Sequence, residues 1–160
     1  MTRIVIETRI QAPIELCFDL ARDVSAHAES AAFTSERVLE PGRTQGLLEI
    51  GDIVAFEGRH FGMTQRFVAR ITALDRPTRF VDEMVEGTFK RLRHVHEFEF
   101  NDGTTIMRDT LNWVTPFKRS RSSRRFALST PPHALVCYAE TARTQTHRRR
   151  ARKIPGAVND

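Results

Sequence analysis

Two histidines and two aspartates in the middle of the chain are the residues best suited to chemistry. His94 and His96 alternate within one strand-like segment, Asp82 lies in the segment before it, and Asp109 lies in the segment after it. Histidine titrates near neutral pH and can act as a general acid or base, and a carboxylate can orient it. These four residues are therefore the candidate catalytic group.

The same residues offer ligand atoms for a metal ion. Alternate residues on one strand can both bind an ion, and a carboxylate can join them. The His94-x-His96 spacing is a weak motif by itself, so we expect no metal. Cys17 and Cys137 lie far apart and match no metal spacing. The sequence has no glycine-rich phosphate loop, and we expect no cofactor.

Five strand-like segments are available to position these side chains. They run over Ile53–His60, Met63–Leu74, Arg79–Val85, Arg91–Phe100 and Thr104–Val114. The last two are separated by Asn101-Asp102-Gly103, and Asp-Gly between alternating runs is a strong hairpin signal. The segments are therefore expected to form an antiparallel meander.

The N-terminal part of the chain supplies the remaining elements. Residues 3–10 alternate as a half-buried strand does, and Ala12-Pro13 opens a helix, since proline suits the first helical turn. A second helical piece is predicted over Ser25–Ala32, followed by short strands near Glu36–Leu39 and Leu47–Ile50. This order of elements predicts an α+β fold.

Period-2 alternation assigns the side chains of the meander to two faces. The inner face, on which Phe100 is also placed, is mostly apolar with a polar minority, which is how small-molecule sites are usually built. The predicted ligand contacts on this face are Phe56, His60, Gln65, Phe67, Phe80, Asp82, Met84, His94, His96, Phe98, Met107, Asp109 and Trp113.

A buried carboxylate needs a partner, because an unpaired one is costly. We therefore expect Asp82 or Asp109 to pair with His94 or His96. Three roles remain open for such a network: a structural cluster that fixes the strand register, a set of ligand contacts, or a catalytic group.

Charge divides the chain near Pro116. Residues 1–116 contain 14 basic and 18 acidic residues, whereas residues 117–160 contain 11 basic and 2 acidic residues. We expect one domain over residues 1–116 and an atypical basic segment over 117–160, helical at about 133–152 or partly disordered. The basic run at residues 148–153 contains no aromatic side chain on which a base could stack, so no specific nucleic-acid binding is expected.

The sequence shows no signal for membrane insertion or export. No apolar run approaches the ~20 residues of a membrane span, and Glu7 comes too early for a secretory signal. We expect a cytoplasmic protein.

Several short motifs together resemble one superfamily. These motifs are Ala12-Pro13, Phe18-Asp19-Leu20, Gly51-Asp52, His60-Phe61-Gly62, Gln65-Arg66, Asp75-Arg76-Pro77, Phe80-Val81-Asp82-Glu83-Met84-Val85, Gly87-Thr88-Phe89-Lys90, His94-Val95-His96-Glu97-Phe98 and Thr105-Ile106-Met107-Arg108-Asp109. Through them, residues 3–116 resemble the SRPBCC superfamily (START/Bet v1-like helix-grip domains), and in particular its bacterial ligand-binding, polyketide cyclase/dehydrase-like branch.

This resemblance implies a seven-stranded antiparallel sheet that grips a C-terminal helix, with a cavity for a lipid- or polyketide-like molecule. The superfamily includes both binders and enzymes. Our leading hypothesis is a binder of a hydrophobic small molecule. The alternative is a cyclase or dehydratase that uses a His/Asp pair in the same cavity.

The C-terminal segment departs from the pattern that the resemblance implies, because residues 117–160 do not form an amphipathic helix pattern. A shift of reading frame near Phe117 is one hypothesis for this composition, and sequencing the gene tests it. An inner face left open by this segment would favour association, so a homodimer is also predicted.

Overall fold

The computed structural model describes residues 1–30, 37–60 and 63–115. In this part of the chain the strands are β1 (Thr2–Ile10), β2 (Arg37–Leu39), β3 (Ile53–His60), β4 (Met63–Asp75), β5 (Arg79–Glu86), β6 (Arg91–Asn101) and β7 (Thr104–Val114). The helices are α1 (Ile14–Ala21) and α2 (Val24–Ser30). No helix among these residues is long and apolar enough to cross a bilayer.

All seven strands form one antiparallel sheet in the order β1-β7-β6-β5-β4-β3-β2. The five segments of the predicted meander, β3 to β7, are consecutive neighbours in the sheet. The N-terminal strand β1 pairs with β7. The predicted α+β class and the seven-stranded sheet are confirmed. The proposed division at Pro116, and the helix predicted at about 133–152, concern residues outside the described ranges.

The β6–β7 hairpin shows how local sequence sets the strand register. Asn101 pairs with Thr104, which leaves Asp102 and Gly103 as a two-residue loop. Both loop residues have positive φ, at 46° and 77°, as a type I′ turn requires. This turn fixes which residues of β6 and β7 face each other, and therefore places His96 opposite Asp109.

Helix α1 closes one end of the inner face through Phe18. This side chain is fully buried, and its ring lies edge-on to Phe80 and Phe98 at centroid distances of 5.6 and 5.5 Å. Edge-to-face aromatic pairs add to the free energy of burying the rings. Ile10 and Met107 belong to the same buried core. This end of the sheet is thus a packed core.

A buried arginine fastens α1 to the loop before β3. Arg22 is 3% exposed and forms ion pairs with Asp19 at 2.9 Å and Glu49 at 2.7 Å. It also donates a hydrogen bond to the Leu48 carbonyl. The other carboxylate oxygen of Asp19 lies 2.7 Å from Arg76 in the β4–β5 turn. These contacts fix the position of α1 over the sheet.

One detail of the sequence-based prediction is wrong, and one inner-face side chain is more exposed than its neighbours. The segment Leu47–Ile50 is not a strand, and Leu47 forms only an isolated bridge with Asp23. A backbone hydrogen bond from Leu48 to the carbonyl of Arg22 ties this loop to the end of α1 instead. Phe100 is 50% exposed, although it follows Phe98 by two residues in an uninterrupted ladder and therefore lies on the same face.

Replacing Phe18 with alanine is expected to lower the free energy of unfolding by about 3–5 kcal/mol, because it empties the centre of this core. Urea unfolding monitored by circular dichroism measures the effect. Phe100→Ala is the matched control, since it removes the same ring from the same fold at an exposed position, and it should cost less than about 1 kcal/mol. Equal losses in the two variants would contradict this description of the core.

Candidate functional site

Strand register brings the four candidate residues together on the inner face. Asp82 on β5 pairs with His94 on β6, and His96 on β6 pairs with Asp109 on β7. The central strand therefore presents two imidazoles, and each neighbouring strand presents one carboxylate. We call these four residues the His/Asp cluster.

Each carboxylate of the cluster contacts both imidazoles. The Asp82 Oδ2 atom lies 3.1 Å from His96 Nε2, with hydrogen-bond geometry, and 3.6 Å from His94 Nδ1. The Asp109 Oδ1 atom lies 2.7 Å from His96 Nδ1 and 3.2 Å from His94 Nε2. The imidazole centroids are 3.7 Å apart. The sequence-based expectation that these aspartates and histidines pair is thus seen twice over.

The two sides of the cluster differ in exposure. The side chains of Asp109 and His96 are 2% and 4% exposed, whereas those of Asp82 and His94 are 15% and 13% exposed. A molecule on the inner face would therefore meet Asp82 and His94 first. Asp109 and His96 form the buried side.

The contacts of the cluster shift the two histidine pKa values in opposite directions. Burial alone would lower the pKa of His96, but its contacts with Asp109 and Asp82 outweigh burial and raise that pKa to about 9. Burial and the neighbouring charge of His96 lower the pKa of His94, and they outweigh the attraction of the two carboxylates. At neutral pH, His96 is charged and His94 is neutral.

Both aspartates are ionised at neutral pH. Burial would raise the pKa of Asp109, but the contacts with His94 and His96 lower it to about 2. The pKa of Asp82 is also lowered, since the hydrogen bond from His96 and the charges of the histidines outweigh burial. Two carboxylates and one imidazolium leave the cluster with one net negative charge.

The predicted apolar contacts fall into two groups. Phe80, Phe98 and Met107 are at most 5% exposed and pack with α1 in the core. Phe80 also stacks on His96, with centroids 4.0 Å apart. These three side chains form the wall behind the buried side of the cluster.

The second group lies on the other side of the cluster, and we call this region the site wall. Phe67 and Met84 are part-buried, and Trp113 is 5% exposed. Gly87 in the β5–β6 turn lies so close that a Cβ there would approach the Met84 sulfur to 2.7 Å and the Phe67 ring to 3.3 Å. The turn therefore bends over this wall.

The remaining predicted contacts lie farther along the sheet. Gln65 accepts a hydrogen bond from the Thr88 hydroxyl at 3.1 Å, which ties β4 to the β5–β6 turn. Phe56 packs against the His27 ring of α2 at 4.4 Å. His60 ends β3, and its side chain lies outside the described part of the structure. Gln65 and Phe56 thus make these contacts with residues outside the His/Asp cluster.

Three residues next to the site are absent from the predicted ligand contacts. Phe18 enters from α1, and its position depends on helix packing that strand alternation does not address. Phe89 lies 6.2 Å from Trp113 between ring centroids, although it precedes β6. Leu111 pairs with His94, and the alternation of β7 did place it on the inner face.

One group of described residues can hold a metal ion. The ligand atoms of Asp82, His94 and His96 lie within 4.8 Å of one another. Two imidazole nitrogens and one carboxylate oxygen form a donor set that suits several transition metals.

Comparison with known proteins defines the fold. No family model and no curated protein matches this chain by sequence. Among solved structures, an aromatase/cyclase from Streptomyces sp. R1128 has a TM-score of 0.72 at 17% identity, covering 98% of this chain and 99% of its own. Ara h 8.0201 has a TM-score of 0.61 at 12% identity, covering 88% and 97%.

A third similar structure, the major latex-like protein 151 from Panax ginseng, has a TM-score of 0.56 at 13% identity, covering 96% of this chain and 98% of its own. Identities this low establish the fold alone. The chain has the helix-grip fold of Bet v1-like proteins, as the resemblance implied.

The charge state of His96 predicts how stability depends on pH. Because the folded pKa of about 9 lies above the ordinary 6.5, the stabilisation is complete below pH 6.5 and is lost as pH rises through about 9. The loss attributable to His96 is about 3 kcal/mol. Urea unfolding of the unaltered chain and of His96→Gln, each measured at about pH 6.5 and about pH 9, isolates the contribution of His96 to the free energy of unfolding.

The variant should show a flatter pH dependence than the unaltered chain over this range. His27→Gln is the control for the loss of a buried imidazole outside the cluster. An unchanged slope in His96→Gln would show that His96 is not held in its charged form.

Proposed function

We propose that the protein binds a largely apolar, uncharged or cationic small molecule against the site wall, and that the His/Asp cluster orients its polar group. The observation that carries this proposal is the part-exposed pair Asp82 and His94 at the border of an apolar face. Apolar walls with a few convergent polar groups are typical of small-molecule sites.

The site wall supplies apolar contact area next to the polar pair. Met84 follows Asp82 by two residues on β5, and Leu92 precedes His94 by two residues on β6, so each lies on the same face as its polar neighbour. Trp113 pairs with Leu92 across the β6–β7 ladder. A ligand that covers this wall therefore reaches the exposed side of the cluster.

Trp113 offers a second polar contact. Its Nε1 atom is buried and has no hydrogen-bond acceptor among the residues that the structure describes. A buried donor without a partner is costly, and a carbonyl or hydroxyl oxygen of a ligand would satisfy it. Asp82 would accept a hydrogen bond from a ligand hydroxyl or amine.

The net charge of the cluster determines which ligands fit. One excess negative charge in an apolar surrounding repels an anionic group, since Coulomb interactions are weakly screened there. A fatty-acid carboxylate is therefore a poor ligand, whereas an alcohol, phenol, ketone or amine is compatible with the site.

The charge preference can be measured with 1-dodecanol and dodecanoate, which share a chain length and differ in the head group. Quenching of the single tryptophan, Trp113, reports binding at the wall. The alcohol is expected to bind at least about tenfold more tightly, a difference of about 1.4 kcal/mol. Asp82→Asn should narrow this ratio, because it removes one negative charge.

Two variants provide the controls for this measurement. Phe67→Ala removes part of the wall and should weaken both ligands together, whereas Phe100→Ala removes an exposed ring and should change neither. Tighter binding of dodecanoate, or binding that Phe67→Ala leaves intact, would overturn the proposed site.

A cyclase or dehydratase activity is the second candidate function. The neutral, part-exposed imidazole of His94 next to a carboxylate has the form of a general base. The fold likeness to an aromatase/cyclase agrees with such chemistry. His94 would take an α-proton from a ligand carbonyl compound, and Asp82 would stabilise the imidazolium that forms.

Deuterium exchange at the α-carbon of an apolar β-diketone tests this activity. His94→Gln is expected to slow protein-dependent exchange at least about 100-fold, the usual contribution of a general base, while Trp113 quenching by the diketone persists. If the unaltered protein exchanges the α-proton no faster than buffer alone, the proposed activity is wrong and binding is the function that stands.

Three further expectations stay predictions. The homodimer and the absence of specific nucleic-acid binding both depend on residues 117–160, which lie outside the described ranges. A cytoplasmic location is likewise still a prediction.

A further inference from the structure

We propose that Asp82, His94 and His96 bind one divalent transition-metal ion such as Zn²⁺, and that Asp109 positions the two imidazoles from the opposite side. The inference goes beyond binding of an apolar molecule. The metal site can be absent while the apolar molecule binds, and the apolar molecule can fail to bind while the metal site is present.

The spacing of the donor atoms on the Asp82 side suits a small metal ion. Asp82 Oδ2 lies 3.1 Å from His96 Nε2 and 3.6 Å from His94 Nδ1, and each of the three residues offers one ligand atom within 4.8 Å of the others. Metal–ligand distances of about 2.0–2.2 Å in a tetrahedral site place ligand atoms roughly 3.3–3.5 Å apart. The two distances from Asp82 Oδ2 bracket this range.

The other two imidazole nitrogens face Asp109. His94 Nε2 and His96 Nδ1 lie 3.2 and 2.7 Å from Asp109 Oδ1. These three buried atoms have no aligned hydrogen bond among the described residues. Histidines that bind a metal usually donate their other N–H to a carboxylate. A metal on the Asp82 side would leave the N–H groups at His94 Nε2 and His96 Nδ1, where Asp109 Oδ1 can accept their hydrogen bonds.

Charge and access favour the same arrangement. The ion would replace the extra proton of His96, which leaves to solvent. The two neutral imidazoles and two carboxylates would then carry two negative charges, and a divalent cation neutralises them. The Asp82 side of the cluster is the more exposed one, so an ion can enter there. Three protein ligands leave a coordination position open toward the site wall, as in catalytic zinc sites. The bound ion would supply a Lewis acid for a ligand oxygen.

The test uses the full chain, treated with a chelator and then titrated with Zn²⁺ by calorimetry and with Co²⁺ by visible absorption. We expect one ion per chain and the intense d–d bands of four-coordinate Co²⁺. Asp82→Asn and His94→Gln should each lower the Zn²⁺ affinity at least about 100-fold. Asp109→Asn should lower it about 10–100-fold, the usual effect of losing an orienting carboxylate.

The controls separate this site from other histidines in the chain. His27→Gln should keep the stoichiometry, the affinity and the Co²⁺ spectrum, and circular dichroism checks that each variant is folded. Because two ligand variants are made, one that fails to fold leaves the other informative. No binding at one ion per chain, or binding that folded Asp82→Asn or His94→Gln retains, would overturn the metal site.

Measuring 1-dodecanol binding in the presence of chelator distinguishes the two proposals. Alcohol binding without any Zn²⁺ binding would overturn the metal site alone. Zn²⁺ binding with no alcohol binding would overturn the apolar site alone.

Discussion

The need to pair buried charge is the constraint on which the rest of this structure depends. Asp109 is 1% exposed, and an ionised carboxylate so deep in a protein requires compensation. The compensation comes from imidazoles on the neighbouring strand, held in place by the register of β5, β6 and β7. A shift of any of these strands by one residue would turn one partner to the other face of the sheet. The cluster therefore favours the observed pairing of β5, β6 and β7.

This constraint also explains how the inner face is divided. On one side of the cluster, Phe18 from α1 fills the space against Phe80 and Phe98. On the other side, Phe67 and Met84 are only part-buried, and Asp82 and His94 border them. One end of the face is therefore core, and the other is the end at which we propose a ligand site. Asp82 and His94 are the cluster residues that border this end.

Strand alternation was sufficient to predict much of this arrangement. It placed Asp82, His94, His96 and Asp109 on one face, and the Asp102-Gly103 turn supplied the register between β6 and β7. The motifs that resemble the superfamily implied the helix-grip fold, which the structure has. Strand alternation and the two-residue turn are local features, so the sequence contains them directly.

Other features depend on contacts between distant parts of the chain, and alternation does not contain them. The loop at Leu47–Ile50 looks like a strand until its hydrogen bond to Arg22 is known. The burial of Phe18 depends on where α1 docks. The opposite pKa shifts of His94 and His96 depend on burial and on two carboxylates from different strands, which a single strand pattern cannot quantify.

The extra proton of the cluster is expected on His96, and the neutral imidazole of His94 is expected to face the ligand. Nitrogen NMR of the histidine rings, at neutral pH and in chelator, measures this directly. Both ring nitrogens of His96 are expected to be protonated, whereas His94 should carry one ring proton. Addition of 1-dodecanol should shift the His94 signals more than those of His96. Equal protonation of the two rings, or no response of His94 to the alcohol, would contradict it.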